Sequence, residues 1–129
     1  MDETCTYAKQ FVDHYYEKLD KSRSTLEKLY HESANLVWNG NPVNGREKIL
    51  EFFSKNLPIS ETNLSTLDAQ PVSYIENVEG KRMIFISCVG SIKFSNQHPK
   101  TFTQNFVLIA ESDTDKIYWK IVSDTFRLL

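Results

Sequence analysis

Residues 82–94 read RMIFISCVGSIKF, and nearly every second side chain in this stretch is apolar. Side chains alternate between the two faces of a β-strand, so this spacing predicts a strand with one face turned towards a core. The same alternation recurs in residues 101–111 and 116–129. The predicted core positions are Ile84, Ile86, Cys88, Ile92 and Phe94, then Phe102, Phe106 and Leu108, and finally Val122, Phe126 and Leu128.

The opposite face of these three predicted strands carries few charges. Its side chains are mostly small or β-branched: Phe85, Ser87, Val89 and Ser91; Asn105, Val107 and Ile109; Trp119, Ile121, Ser123 and Thr125, with Lys93 and Arg127 at the margins. A face that meets water normally carries many charged residues. We therefore expect a second protein surface to cover this face.

The length and composition fit one soluble domain, residues 1–129. The chain of 129 residues has a net charge of −2, which argues against direct binding to nucleic acid. Cys5 and Cys88 do not form a disulfide framework, and no apolar stretch approaches membrane-spanning length. These features predict a protein of a reducing compartment, cytosol or nucleus, with no membrane partner.

The first half of the chain has helical spacing. Apolar residues from Ala8 to Leu19 predict an opening helix that ends near Asp20, and Ser22 or Ser24 could cap a second, short helix. Asn44 and Glu47 have the spacing of a capping box, which predicts a third helix that stops before Pro58.

Strands dominate the rest of the chain. Residues 36–38 predict a brief strand and residues 64–75 a longer one, followed by a turn around Glu79-Gly80. Residues 96–100 and 112–115 are typical of hairpin turns. Helices followed by a meander of strands predict an α+β domain, with helices packed on one face of a curved, mostly antiparallel sheet.

Asp124 is the sharpest enzymatic candidate. It shares parity with Val122 and Phe126, so it could point between the sheet and the helices and act as a general base with a raised pKa. The alternative is a hydrogen-bonded structural carboxylate. Tyr15 and Tyr16 are expected to place their rings in the core and their hydroxyls at its rim. The histidines lack metal-ligand spacing, so we predict neither catalytic residues nor a metal or cofactor.

Asp68 is a candidate recognition residue. It follows Leu64 and Thr66 at alternate positions of its predicted strand. If that face is the uncharged one, a partner that covers it must supply a cation, and an arginine suits a carboxylate best. The alternative is a solvent-exposed aspartate at the rim of the sheet.

Several segments together resemble a known family. They are LVWNGN at 36–41, Asn44-Gly45 ahead of Glu51-Phe52-Phe53, FTQNFVL at 102–108 and WKIVSDTFR at 119–127. The pattern resembles the nuclear transport factor two-like fold, and within it the NTF2-related export proteins, the small subunits of TAP-type messenger RNA export receptors. The similarity runs over nearly the whole chain.

The resemblance implies a cone-shaped domain whose sheet packs against the equivalent domain of a TAP-type large subunit. It also implies a non-enzymatic heterodimer that contacts phenylalanine-glycine repeats of nucleoporins, shuttles through nuclear pores and reaches RNA only through the large subunit. Asp68 matches the family's interfacial acidic residue, which pairs with an arginine of the partner.

Two other functions stay open. The founding import factor of the family is a homodimer that binds the GDP form of Ran around a tryptophan flanked by acidic residues. Trp38 matches that tryptophan, but Asn39, Ser95 and Gln97 stand where acidic residues are expected, which makes Ran binding doubtful. A small isomerase or dehydratase that uses Asp124 is the other alternative.

Overall fold

The computed structural model of the chain describes residues 3–72, 82–113 and 116–129. Its elements in chain order are α1 (Glu3–Lys21), a 3₁₀ helix (Arg23–Leu29), β1 (Tyr30–Trp38), β2 (Asn41–Asn44), α2 (Arg46–Asn56), β3 (Ser60–Pro71), β4 (Met83–Phe94), β5 (Lys100–Asp113) and β6 (Lys116–Leu128). The three strands predicted from alternation are confirmed as β4, β5 and β6. The turn predicted around Glu79-Gly80 lies outside the described residues.

The six strands form one sheet in the order β2-β1-β6-β5-β4-β3. Neighbouring strands are antiparallel except β1 and β6, which are parallel. The predicted α+β architecture, with helices on one face of a curved and mostly antiparallel sheet, is confirmed. β1 is longer than predicted, because its first six residues, Tyr30 to Asn35, belong to the strand as well.

The core lies between the helices and one face of the sheet. α1 buries the predicted residues from Ala8 to Leu19, and the alternate residues of β4 and β5 meet them. Phe106 of β5 makes edge-on ring contacts with Phe11 and Tyr15. Burial of these aromatic rings stabilises the packing of α1 against the sheet.

The helix starts differ from the prediction. Asn44 is the last residue of β2, and Gly45 takes the cap position of α2, with no side-chain hydrogen bond. Gly45 has φ 91° and its N–H donates to the Ala34 carbonyl at 2.8 Å, so the turn from strand to helix depends on glycine rather than on a capping box. Ser22 precedes the 3₁₀ helix without a side-chain cap bond. α2 ends at Asn56, before Pro58 as predicted.

A bulge in β6 reverses part of the predicted face assignment. Val107 pairs with Ser123, whereas Leu108 pairs with Ile121, so Val122 is an extra residue in the ladder. Ile121 consequently points into the core, where it is fully buried, and Trp119 also turns towards α1, in ring contact with Tyr7. The predicted positions of Ile121 and Trp119 on the opposite face, and of Val122 in the core, are therefore wrong.

Gly90 marks a close approach between β4, β5 and the edge strand β3. A Cβ atom at this position would collide with the Asn63 carbonyl oxygen and lie 3.1 Å from the Phe102 ring. We expect Gly90→Ala to lower the free energy of unfolding by about 2–3 kcal/mol, because backbone must move to accept the methyl group. Urea unfolding of both proteins measures this loss.

Ser91→Ala provides the matched control for this substitution. Ser91 is the next residue of β4 and points to the other face of the sheet, so the change should stay within about 0.5 kcal/mol. Equal unfolding midpoints for Gly90→Ala and the unmodified chain would show that β3 does not approach β4 this closely.

Candidate partner interface

The sheet has a second face, turned away from the helices, which we call the open face. Its centre consists of three rows of side chains that run across β3, β4, β5 and β6. The rows are Asp68-Ser87-Asn105-Thr125, Gln70-Phe85-Val107-Ser123 and Thr66-Val89-Thr103-Arg127. Directly opposed residues share a face, so these twelve side chains form one continuous surface.

The centre of the open face is poor in charge. Asp68 and Arg127 are the charged members of the three rows, and they lie on β3 and β6, the first and last strands that the rows cross, which are roughly 14 Å apart. Within the described residues, Asp68 has no ion pair. Ser87 donates a hydrogen bond to Asn105 Oδ1 at 2.8 Å, which satisfies two polar groups at the centre of the face. Burial of this surface would therefore leave Asp68 as the group that most needs a partner cation.

Phe85 is the large apolar side chain of the three rows, and it lies in the row next to the central one. It stands between Gln70 and Val107 and is 41% exposed. An exposed phenylalanine surrounded by small, uncharged residues is typical of the anchor of a protein interface. The open face is thus suited to desolvation across its middle.

Eleven of the twelve predicted interface residues lie on the open face: Asp68, Phe85, Ser87, Val89, Ser91, Asn105, Val107, Ile109, Ser123, Thr125 and Arg127. Ile121 does not, because of the β6 bulge. Ile109 aligns with Met83 and Lys120, but it is only 5% exposed and offers little surface to a partner. The prediction missed Thr66, Gln70 and Thr103, whose place depends on pairing between distant strands.

Asp124 lies at the centre of a buried polar network. Its Oδ1 accepts a hydrogen bond from Gln104 Nε2 at 2.8 Å, and its Oδ2 accepts one from the Tyr30 hydroxyl at 2.6 Å. The Tyr15 and Tyr30 hydroxyls are 2.9 Å apart, and Tyr16 donates to Gln104 Oε1 at 2.7 Å. The predicted inward position of Asp124 is confirmed. The tyrosine hydroxyls are inside the core, not at its rim, because this network satisfies them there.

Burial controls the electrostatics of this network. Loss of solvent raises the pKa of Asp124 to about 6, although the hydrogen bonds from Tyr30 and Gln104 act in the opposite direction. Burial also raises the pKa of Tyr30 well above its usual range. Both oxygens of Asp124 are engaged by donors and the side chain is fully buried, so the geometry favours the structural alternative over a general base.

Trp38 lies at the end of β1, next to α2. Its ring stacks on Phe126 with centroids 3.8 Å apart and also contacts Phe52 and Phe53. The side chain is 7% exposed, so these phenylalanines occupy the space beside the indole. Trp38 contributes to the core and presents little surface to a ligand.

The described residues contain no group of three or more His, Cys, Asp or Glu side chains that could hold a metal ion. Cys88 is buried and neither Cys5 nor Cys88 is in a disulfide. No helix in the described ranges is long and apolar enough to cross a membrane.

Comparison with known proteins identifies the family. The model of the nuclear transport factor 2 (NTF2) domain matches residues 7–128. NTF2-related export protein 1 of Bos taurus is 40% identical over 125 residues, which cover 97% of this chain and 88% of that protein.

Solved structures agree with this match. Nuclear transport factor 2 from Cryptosporidium parvum superposes with a TM-score of 0.82 at 26% identity, covering 98% of this chain and 95% of the other. A chain of the Candida albicans Mtr2–Mex67 M domain complex has the same fold, with a TM-score of 0.71 at 16% identity over 98% of this chain and 94% of that chain. The protein therefore belongs to the NTF2 domain family and, within it, to the NTF2-related export proteins.

Proposed function

We propose that this chain is the non-enzymatic small subunit of a heterodimeric messenger RNA export receptor. The open face carries the proposal, because its three central rows are nearly uncharged and include the exposed side chain of Phe85. An interface of the obligate type over such a face buries on the order of 2,000 Å² or more. The partner is the NTF2-like domain of a TAP-type large subunit, and the whole of residues 1–129 acts as one domain.

The similar proteins support a role in export from the nucleus. The bovine relative is an export protein, and the Mtr2–Mex67 pair is a complex of two different chains. In this role the chain shuttles between nucleus and cytoplasm, and the complex contacts nucleoporin repeats at the pore. RNA is reached through the large subunit, consistent with a net charge of −2 on this chain.

The stacked position of Trp38 argues against the Ran-binding alternative. A carrier of that kind needs space beside the tryptophan, whereas Phe126 and Phe52 fill it here. Asn39 stands where an acidic residue is expected for Ran binding, and its Oδ1 accepts a hydrogen bond from the Leu128 N–H at 2.8 Å. This contact is made by a neutral amide and requires no carboxylate. The export-subunit function therefore fits this region better than binding of Ran.

Sedimentation of the purified chain tests the proposed function. We expect the chain alone to self-associate, because the open face would otherwise remain in water. Addition of the NTF2-like domain of the large subunit should convert it to a complex of one copy of each chain, and addition of Ran in its GDP form should not. The proposal is rejected if the chain is a stable, soluble monomer that does not bind the large subunit. It is also rejected if the chain binds Ran selectively in its GDP form at about micromolar concentration.

Phe85→Asp and Ile59→Asp form the matched pair for this experiment. Phe85 is 41% exposed on the open face, whereas Ile59 is 72% exposed and precedes β3 outside the three rows. A charge at Phe85 should prevent both self-association and assembly with the large subunit. The same charge at Ile59 should change neither.

A further inference from the structure

A cleft of about 700 Å³ lies beside the first residues of β6. α1 and the 3₁₀ helix form two of its sides, and β6 forms the third. None of its lining residues belongs to the three rows of the open face. Its apolar lining consists of Tyr7, Phe11, Leu29, Ile117, Tyr118 and Trp119.

An unpaired strand edge borders this cleft. β1 pairs with β6 from Ile121 onward, so among the described residues 116–120 of β6 have a strand neighbour only in β5. The N–H of Ala110 in β5 donates to the Arg82 carbonyl at 2.9 Å, on the side away from β6. Because the backbone of Ala110 bonds on that side, Ala110 and the opposed Trp119 form a pair without hydrogen bonds to each other. The N–H and C=O of Trp119 therefore point away from β5, and so do those of Ile117, two residues earlier. These backbone groups are placed to pair with an added strand.

The side chains at this edge are apolar and exposed. Ile117 is 55% and Tyr118 is 45% exposed. The other long edge of the sheet differs, because Asp20 accepts hydrogen bonds from the Thr62 N–H and hydroxyl at 2.8 and 2.9 Å and so covers part of β3. An unprotected edge with exposed apolar side chains is a template for strand addition.

Lys28 and Lys120 are the charged side chains that line the cleft among the residues that the structure describes, and no acidic side chain of those residues is part of this lining. The Arg82 guanidinium lies over the Trp119 ring at 5.6 Å from its centroid and adds another cation at one end. This local excess contrasts with the net charge of −2 of the chain, so it selects a ligand of negative charge.

We propose that this cleft binds an extended, acidic segment of another protein. The segment adds as a short strand beside residues 117–119, with aromatic side chains against Tyr7, Leu29 and Trp119 and carboxylates towards Lys28 and Lys120. Tyr7, Leu29, Ile117 and Trp119 place most of the cleft on the helix side of the sheet, whereas Tyr118 and Lys120 alternate with Trp119 and lie at the strand edge on the side of the open face. Measurement with the heterodimer therefore tests whether the cleft stays available when the open face is covered. The site is independent of the proposed function.

Fluorescence anisotropy with a labelled peptide tests the proposal. The probe is an octapeptide of alternating phenylalanine and aspartate, measured with the chain alone and with its heterodimer. Three matched peptides replace aspartate by serine, replace phenylalanine by alanine, or carry methyl groups on alternate backbone amides. We expect each to bind at least about tenfold more weakly than the probe, since each lacks one component of the recognition.

Charge reversal of the cleft supplies the matched protein variants. Lys28→Glu combined with Lys120→Glu should weaken binding of the probe by about tenfold or more, whereas Lys93→Glu on β4, away from the cleft, should leave it unchanged. Circular dichroism checks that each variant is folded. The proposal is overturned if the probe shows no saturable binding up to about 1 mM, if the serine peptide, an uncharged phenylalanine-glycine peptide or the methylated peptide binds as well as the probe, or if both sets of variants behave alike.

Discussion

Asp68→Arg is expected to weaken binding of the large subunit about a hundredfold, or about 3 kcal/mol. Asp68 lies at the β3 end of the row that runs through Ser87, Asn105 and Thr125. If a partner arginine meets it across a desolvated interface, the substitution places two cations together where water cannot screen them. Isothermal titration calorimetry with the large-subunit domain measures the change.

Two further variants separate charge from position. Asp68→Asn removes the charge with little change in shape and should cost less than the reversal. Glu51→Arg changes the net charge by the same amount as Asp68→Arg, but on α2, on the helix side of the sheet. It should leave the affinity for the large subunit within about twofold. If Asp68→Arg binds as tightly as the unmodified chain, Asp68 does not face a cation of the partner.

Asp124 should make the stability of the fold depend on pH. Burial raises its pKa from 3.8 to about 6, so the folded chain holds this proton more tightly than the unfolded chain does. Protonation therefore favours the folded state, and the contribution of Asp124 is most favourable below pH 4. It weakens as the pH rises through about 6 and is constant above that. The difference of about two pKa units corresponds to about 3 kcal/mol.

Asp124→Asn removes this titration, and its unfolding free energy relative to the unmodified chain should improve by about 3 kcal/mol between pH 3 and pH 7. In this variant the asparagine amide meets the Tyr30 hydroxyl, which donates to the carboxylate in the unmodified chain. This change shifts the free energy of unfolding by an amount that does not depend on pH. Urea unfolding of both proteins over this range gives the comparison. A constant difference between them at all pH values would mean that Asp124 titrates normally in the folded chain.

Local alternation predicted much of the sheet, because the two-residue period of a strand is visible without knowledge of its neighbours. Residues 82–94 and 101–111 kept one parity throughout, and their buried faces were correct. β6 did not, because the extra residue Val122 is defined only by its pairing with β5. A bulge of this kind is a property of two strands, so the sequence of one of them cannot reveal it.

The candidate interface likewise depends on strand pairing that the sequence of a single strand does not reveal. Asp68 was recognised from its alternate spacing, but its place opposite Ser87 required the register of β3 against β4, which includes a shift between Leu64 and Thr66. The start of β1 was missed because the segment from Tyr30 to Asn35 is mostly polar. Its two ends pair with distant strands, Tyr30 with Ile121 of β6, and Asn35 with Ser123 of β6 and Asn44 of β2. Non-local pairing overrides local propensity in such segments.

Hydroxyl-radical footprinting of the reconstituted complex tests the coverage of the open face most directly. Phe85 is 41% exposed on the open face, and Ile117, which is 55% exposed and has the helix-side parity of Trp119, serves as the reference. With rates normalised to the unfolded chain, we predict strong protection of Phe85 in the complex and continued reaction of Ile117. Reaction of Phe85 at the rate expected for its exposure in the lone chain would contradict the assignment of the open face as the partner interface.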